Sequence, residues 1–255
     1  MNQYSYLKKA FMKNLYLIAS LLASPIIFSQ SIVNIENLRY SGELGEFKSV
    51  GISLNGSRGN EDRDDYKLNL SFTKNNEDIE SLLTFNHSER TKGDALEDKS
   101  SFFHGRLLFK SDNLFDYEVY LQSSKNPFQS YKKRDLFGIG LRFDLNEMSK
   151  IGLSLFHENE QSLEGINKKT DRVNLYLYKK IKLKNSNFFS ASLFYQPSLN
   201  EFSSDYKVSA LMALNIPLSE KILFEIQVSS ALDNDPPDIS KKSNHSFTTN
   251  FRYVF

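Results

Sequence analysis

The sequence predicts an all-β protein, a single antiparallel up-and-down transmembrane β-barrel of about 12 strands. Three observations predict it. Short segments with apolar residues at every second position recur along most of the chain, and side chains alternate across a strand, so each segment has one greasy face and one polar face. The breaks between segments alternate between short and long, as in a barrel with tight turns at one end and longer loops at the other. The last ten residues form one more such segment: Phe247, Phe251, Tyr253 and Phe255 share a side that only Thr249 breaks, while Thr248, Asn250 and Arg252 share the other, interrupted at the end by Val254.

The segments follow in order. Their apolar faces are Val50-Ile52-Leu54, Tyr66-Leu68-Leu70-Phe72, Ile79-Leu83-Phe85, Phe103-Leu107-Phe109 and Phe115-Tyr117-Val119-Leu121. Then come Phe137-Ile139-Leu141-Phe143, Ile151-Leu153-Leu155, Val173-Leu175-Leu177 and Phe189-Ala191-Leu193-Tyr195. Tyr206-Val208-Ala210-Met212-Leu214, Ile222-Phe224-Ile226-Val228 and the terminal segment complete the set. Many run about ten residues or more, longer than a typical soluble strand and enough to span a bilayer at a tilt. None of these apolar positions carries a charge, and Tyr and Phe cluster at segment ends, where an interfacial girdle would lie. A secreted β-sandwich shares the alternation, but these lengths and end aromatics favour the barrel.

The short breaks are 75–78, 111–113, 145–147, 184–187 and 217–220, rich in Asn, Asp and Ser, whose side chains hydrogen-bond the local backbone. The longer polar stretches are 56–64, 91–99, 123–130, 159–170, 198–204 and 233–244. Pro236 and Pro237 fall in the last of these, where no ladder hydrogen bond is lost.

Before the barrel, residues 1–29 read as a signal peptide. Lys8, Lys9 and Lys13 precede an apolar run from Leu15 to Phe28, and the small residues Ala23, Ser24 and Ser29 lie near its end. That run is too short for a spanning helix, which needs roughly 20 residues. Residues 30–45 then form a short N-terminal periplasmic segment and 46–255 the barrel. With no Cys in the chain there is no disulfide frame and no thiolate metal site. The 32 Lys and Arg nearly cancel the 31 Asp and Glu, so no net field recruits nucleic acid. The mean hydropathy of −0.45 looks soluble, the usual result when strands carry only half a hydrophobic signal.

Three motifs in order carry a family resemblance. They are the stretch from Gly51 to Asn60 with the acidic run Glu61-Asp62-Arg63-Asp64-Asp65 and Tyr66, the stretch from Asn126 to Arg134 leading into Gly138-Ile-Gly-Leu-Arg142, and Asp233-Asn-Asp-Pro-Pro237 followed by Lys241 and the last strand. Together they resemble the salt-induced outer-membrane protein family, also called domain of unknown function 481, over roughly residues 46–255. The resemblance implies a bacterial outer-membrane location, with lipid and lipopolysaccharide as surroundings. A link to salt or osmotic conditions comes from the family's name alone. It implies no catalytic residue and no cofactor. The terminal strand, through Phe251, Tyr253 and Phe255, likewise resembles the assembly signal of bacterial outer-membrane barrels, which implies the barrel assembly machinery as a partner.

The polar faces point inward on this reading. Arg106, Glu118, Arg142, Arg172, Glu225 and Arg252 are the principal lumen-facing candidates, either tuning a passage for small solutes or pairing into a filling network. Glu80, Lys110, Asp116, Lys207, Gln227 and Asn250 belong to the same set. Bulky inward residues (Tyr120, Phe156, Tyr176, Tyr178, Phe194) would narrow an opening. A passive channel or structural barrel, not an enzyme, is therefore expected. The rival is a lipid-modifying hydrolase needing a Ser–His pair, for which His104 and Ser154 could meet across the sheet, though nothing in the sequence requires it; the histidines otherwise read as scattered over loops and lumen. No His, Asp or Glu cluster has metal-ligand spacing.

Overall fold

The computed structural model describes residues 44–57, 62–112, 114–126, 131–236 and 242–254. The stretch expected to be a signal peptide, the expected periplasmic segment up to residue 43, and Phe255 lie outside them. Twelve antiparallel strands close into one barrel, each paired with its sequence neighbours and β1 with β12. They are β1 (Gly45–Ser57), β2 (Arg63–Asn75), β3 (Ile79–Lys92), β4 (Ala95–Phe109), β5 (Asp116–Asn126) and β6 (Tyr131–Asn146). The second half comprises β7 (Ser149–Gln161), β8 (Asn167–Lys182), β9 (Phe188–Pro197), β10 (Tyr206–Pro217), β11 (Ile222–Asp233) and β12 (Ser243–Val254).

Closure explains why these segments are strands. A sheet wrapped on itself satisfies its backbone groups and leaves no edge. The burial pattern is inverted relative to a soluble protein: Ile52, Leu83, Phe137, Leu155 and Phe251 stand exposed on the outside, while Glu118, Arg142, Glu158 and Arg172 are buried inside. A contiguous apolar exterior on this scale is solvated by hydrocarbon, not water. Ring contacts gather at both ends of the strands, Phe115 with Phe143 and Phe224 with Phe251 at one, Tyr195 with Tyr206 and Phe202 at the other.

The turns at the end carrying Gly45 and Val254 are tight, and each has a local cause. Asn76 Oδ1 accepts from the backbone N–H groups of Asp78 and Ile79 at 3.0 and 2.6 Å, Asn146 Oδ1 from Met148, and Ser219 Oγ from Lys221 and Ile222. Between β8 and β9 the chain reverses through Asn185 and Ser186, both at φ near +60° (58° and 60°), a region Asn tolerates better than most residues.

At the opposite end the sequence expectation of long loops is only partly met. β3 and β4 extend through much of residues 91–99 and are joined by Gly93 and Asp94 alone, with Gly93 at φ 56°. Likewise the 159–170 stretch contracts to residues 162–166 between β7 and β8. The polar residues read as loop are strand that rises past the apolar band, where cross-strand pairs such as Arg63–Glu97 (3.0 Å) and Lys99–Glu89 (2.5 Å) suit water. Bulges between Arg90 and Thr91, Ser124 and Asn126, and Asp144 and Asn146 shift the alternation locally.

The twelve ladders are unequal. β8–β9, the shortest between sequence neighbours, runs eight rows from Leu175↔Tyr195 to Lys182↔Phe188. Among the described residues the closing β1–β12 ladder has four: Ser49↔Val254, Val50↔Tyr253, Gly51↔Arg252 and Ile52↔Phe251.

Candidate functional site

The barrel interior is the one concave polar surface the strand order builds, and its two walls differ. Inward positions of β5 to β9 are mostly buried, with large side chains packed over glycines and serines. Those of β12 (Asn244, Ser246, Thr248, Asn250, Arg252) and of β2 from Asp65 to Ser71 remain partly open to solvent within the lumen.

On the packed wall, glycines make room for tyrosines. A Cβ on Gly152 would overlap the Tyr176 ring, and one on Gly138 the Tyr120 ring. Each ring therefore lies flat over a neighbouring strand instead of projecting across the lumen. The Arg106 guanidinium sits 5.7 Å from the centroids of both rings and 3.5 Å from Glu118, to which Tyr176 Oη also donates at 3.5 Å. Arg106, Tyr120, Tyr176 and Glu118 thus join β4, β5 and β8 in one cation–π and ion-pair unit. Above it, the Tyr120 and Ser154 hydroxyls share a 2.9 Å hydrogen bond, Asn174 donates to Ser154 at 3.1 Å, and Gln196 donates to Asn174 at 3.1 Å.

Toward the long-loop end of the same wall lies a denser cluster. Glu158 is paired with Arg134, with Arg172 at 2.6 Å and with Lys207 at 3.3 Å. Glu160 takes Lys207 at 2.9 Å, Asp233 takes Lys207 at 3.3 Å, and Asp205 takes Arg172 at 2.8 Å and Lys168 at 2.9 Å. Lys168 also holds loop residue Asp235 at 2.6 Å, and that hydrogen bond keeps the Asp235 carboxyl below its usual range. Buried charges persist only when paired, and these are paired several ways. A cavity of about 90 Å³ opens beside the cluster, lined by Gln122, Tyr131, Arg134, Phe194, Gln196 and Lys207.

The sequence-derived candidates therefore do not converge on one point. Arg106 and Glu118 belong to the tyrosine unit, Arg172 to the charged cluster, and Arg142 pairs with Asp144 at 2.9 Å near the short-turn end. Glu225 and Arg252 meet at 3.3 Å on the open wall, where Asn250 also donates to Glu225 at 3.3 Å. Lys110 lies past the end of β4 in a turn and donates to the Asn76 carbonyl. Phe251 and Tyr253 point outward, and Phe255 is outside the described residues. Sequence reading missed Arg134, Glu158, Glu160 and Asp205. Glu158 and Glu160 were findable: they continue the inward row Gly152, Ser154, Phe156 of β7.

The hydrolase pairing is not favoured. The Ser154 hydroxyl is engaged by Tyr120 and Asn174, and His104 is stacked between Phe102 and Tyr120 at centroid distances of 6.2 and 6.0 Å. Among the described residues no group of His, Asp and Glu is placed to hold a metal ion.

Against known proteins, the sequence profile of the family described as "Protein of unknown function, DUF481" matches residues 50–255. That name carries no reference to salt, so the osmotic link stays with the resemblance. A comparison with curated proteins finds no match. Among solved structures, the translocator domain of the autotransporter NalP from Neisseria meningitidis is similar at 13% identity and TM-score 0.48, covering 98% of each chain. An outer-membrane channel from Pseudomonas putida F1 is similar at 9% identity and TM-score 0.48, covering 89% of this chain and 99% of that one. The NanC porin follows at 12% identity and TM-score 0.45, covering 82% of this chain and 98% of that one. At such identities and scores nothing about solute or partner carries over.

Proposed function

We propose that this chain, which belongs to the DUF481 family, is a passive channel for small polar solutes in a bacterial outer membrane. The observation that carries the reading is the asymmetry of the interior. One wall is packed by Tyr120, Phe156, Tyr176, Tyr178 and the Glu158 cluster, while the inward residues of β12 and of much of β2 stay partly exposed within the lumen. The result is an eccentric polar passage beside a filled wall. The apolar exterior supports the membrane placement, and the export segment and terminal strand read from the sequence support the outer membrane.

The passage discriminates by size more than by charge. Its open wall is lined by Asn69, Thr248 and Asn250 with the Glu225–Arg252 pair, so opposite charges offset each other. Catalysis plays no part in this reading. Liposomes carrying the purified protein test it by swelling in isosmotic sugars. Swelling that falls steeply from monosaccharide to trisaccharide is expected, and swelling no faster than protein-free liposomes overturns the channel in favour of a purely structural barrel.

A further inference from the structure

An unpaired peptide N–H or C=O is expensive in hydrocarbon, and barrels close to avoid it. Here the closing ladder stops after Ile52↔Phe251, although β1 and β12 both continue toward the long-loop end. At about 3.3 Å per residue, the four rows among the described residues cover roughly 13 Å along a tilted strand, against an apolar band about 25 Å tall. Leu54, which stands above the last pair, is the register partner of Tyr66 on β2. Leu54 and Phe247 flank the unzipped stretch on the outside and are 68% and 52% exposed.

Side chains take the place of the ladder. Ser53 Oγ donates to the Thr249 carbonyl at 3.1 Å, and Lys67 on β2 reaches past β1 to donate to Thr248 Oγ1 at 3.3 Å. Thr249, the one polar residue in the outward row of Phe247, Phe251 and Tyr253, stands at this break. Asp65 and Asp98 act on Lys67 electrostatically, but among the described residues neither forms an ion pair with it. Behind the seam lies the open wall of the lumen, with Asn69, Ser246, Thr248 and Asn250 partly exposed.

We propose that the upper β1–β12 seam is a lateral portal for a single-chain anionic amphiphile. Its head group enters the lumen past Thr249 toward Lys67, while its alkyl chain stays in the bilayer between Leu54 and Phe247. The arrangement supplies what such a ligand needs in the right order: an apolar rim, a polar gap held by side chains rather than by backbone, a cation, and water-accessible polar wall. This inference rests on the lipid-facing exterior and not on solute conduction.

The test uses the full chain, which contains no native Cys. Ser53→Cys with Asn250→Cys places two inward positions just above the last paired row, where a disulfide locks the seam. In phosphatidylethanolamine and phosphatidylglycerol vesicles doped with a photoreactive long-chain alkyl phosphate, the label is expected at Leu54, Phe247 and Lys67. Oxidation of the double variant should abolish it, and reduction should restore it. Label spread evenly to Leu193 and Met212, or unchanged by oxidation, overturns the portal. Equal labelling of Lys67 by an uncharged alkyl glucoside overturns the anionic assignment. Hydrogen exchange of the unmodified protein in nanodiscs gives a reading independent of the variant's folding. Amides of residues 53–55 and 248–250 should exchange faster than those of 50–52 and 251–252, and uniform protection contradicts the open seam.

Discussion

Replacing Glu158 with Gln probes the packed wall most sharply. The carboxylate faces three cations, Arg134, Arg172 at 2.6 Å and Lys207 at 3.3 Å, and all four side chains are at most 10% exposed. Breaking a buried ion pair by removing one partner costs about 3–5 kcal/mol, because a charge is left uncompensated. The cluster softens that cost. Arg172 keeps Asp205 at 2.8 Å, Lys207 keeps Glu160 at 2.9 Å and Asp233 at 3.3 Å, and Arg134 keeps Glu160 at 3.6 Å. The expected loss is therefore near the lower end, about 3 kcal/mol. Glu46→Gln provides the contrast: its pair with Lys74 is 3.0 Å long but about half exposed, so solvent screens it and its loss should change stability little. Urea unfolding in micelles, followed by tyrosine fluorescence since the chain has no Trp, measures both. Combining Glu158→Gln with Arg172→Gln should lose less than the sum of the two singles, by about 0.5–3 kcal/mol. A Glu158→Gln loss no larger than that of Glu46→Gln, or strict additivity in the double variant, would refute the argument that these charges act as one unit.

Further outcomes follow from the same geometry. Gly152→Ala forces the Tyr176 ring off its strand and should destabilise by about 1–3 kcal/mol, recovered in part by adding Tyr176→Leu; the urea midpoints check this. Glu225→Gln leaves Arg252 without its 3.3 Å carboxylate partner on the open wall, so the reversal potential across a salt gradient should move toward anion selectivity. Asp235 contributes stability that is present above the ordinary carboxylate pKa of 3.8 and is lost as pH falls through its lowered value. A carboxyl NMR titration should therefore show a midpoint below 3.8 that Lys168→Ala returns to the usual range, with Asp235 losing the partner it holds at 2.6 Å.

Much of this fold was legible because a lipid-facing strand leaves its period of two in the sequence, as in Leu153-Leu155 opposite Ser154-Phe156. The tight turns at Asn76, Asn146 and Ser219 were legible for a similar reason, since a short polar side chain satisfies the backbone within a few residues. What escaped depends on contacts between distant residues. Glu160 falls in the 159–170 stretch read as loop, and Glu158 just before it goes unassigned, because polar residues on both faces mark strand that has left the bilayer as well as strand that has ended. Gly138 reads only as part of a motif and Gly152 draws no reading, for nothing local states that a tyrosine from the next strand needs their empty side. The short seam joins the first and last strands, so its length is set by how the closed cylinder fits and not by either strand alone.

The account's central claim is that water and solute pass along the β12–β2 wall and not through the packed one. Single cysteines in this Cys-free chain test it directly in planar bilayers. A membrane-impermeant, bulky thiol reagent should step the conductance down when Asn250 on the open wall is replaced by Cys, and leave it unchanged when Ser192, buried on the packed wall, is replaced instead. Block at Ser192→Cys with none at Asn250→Cys would contradict the account.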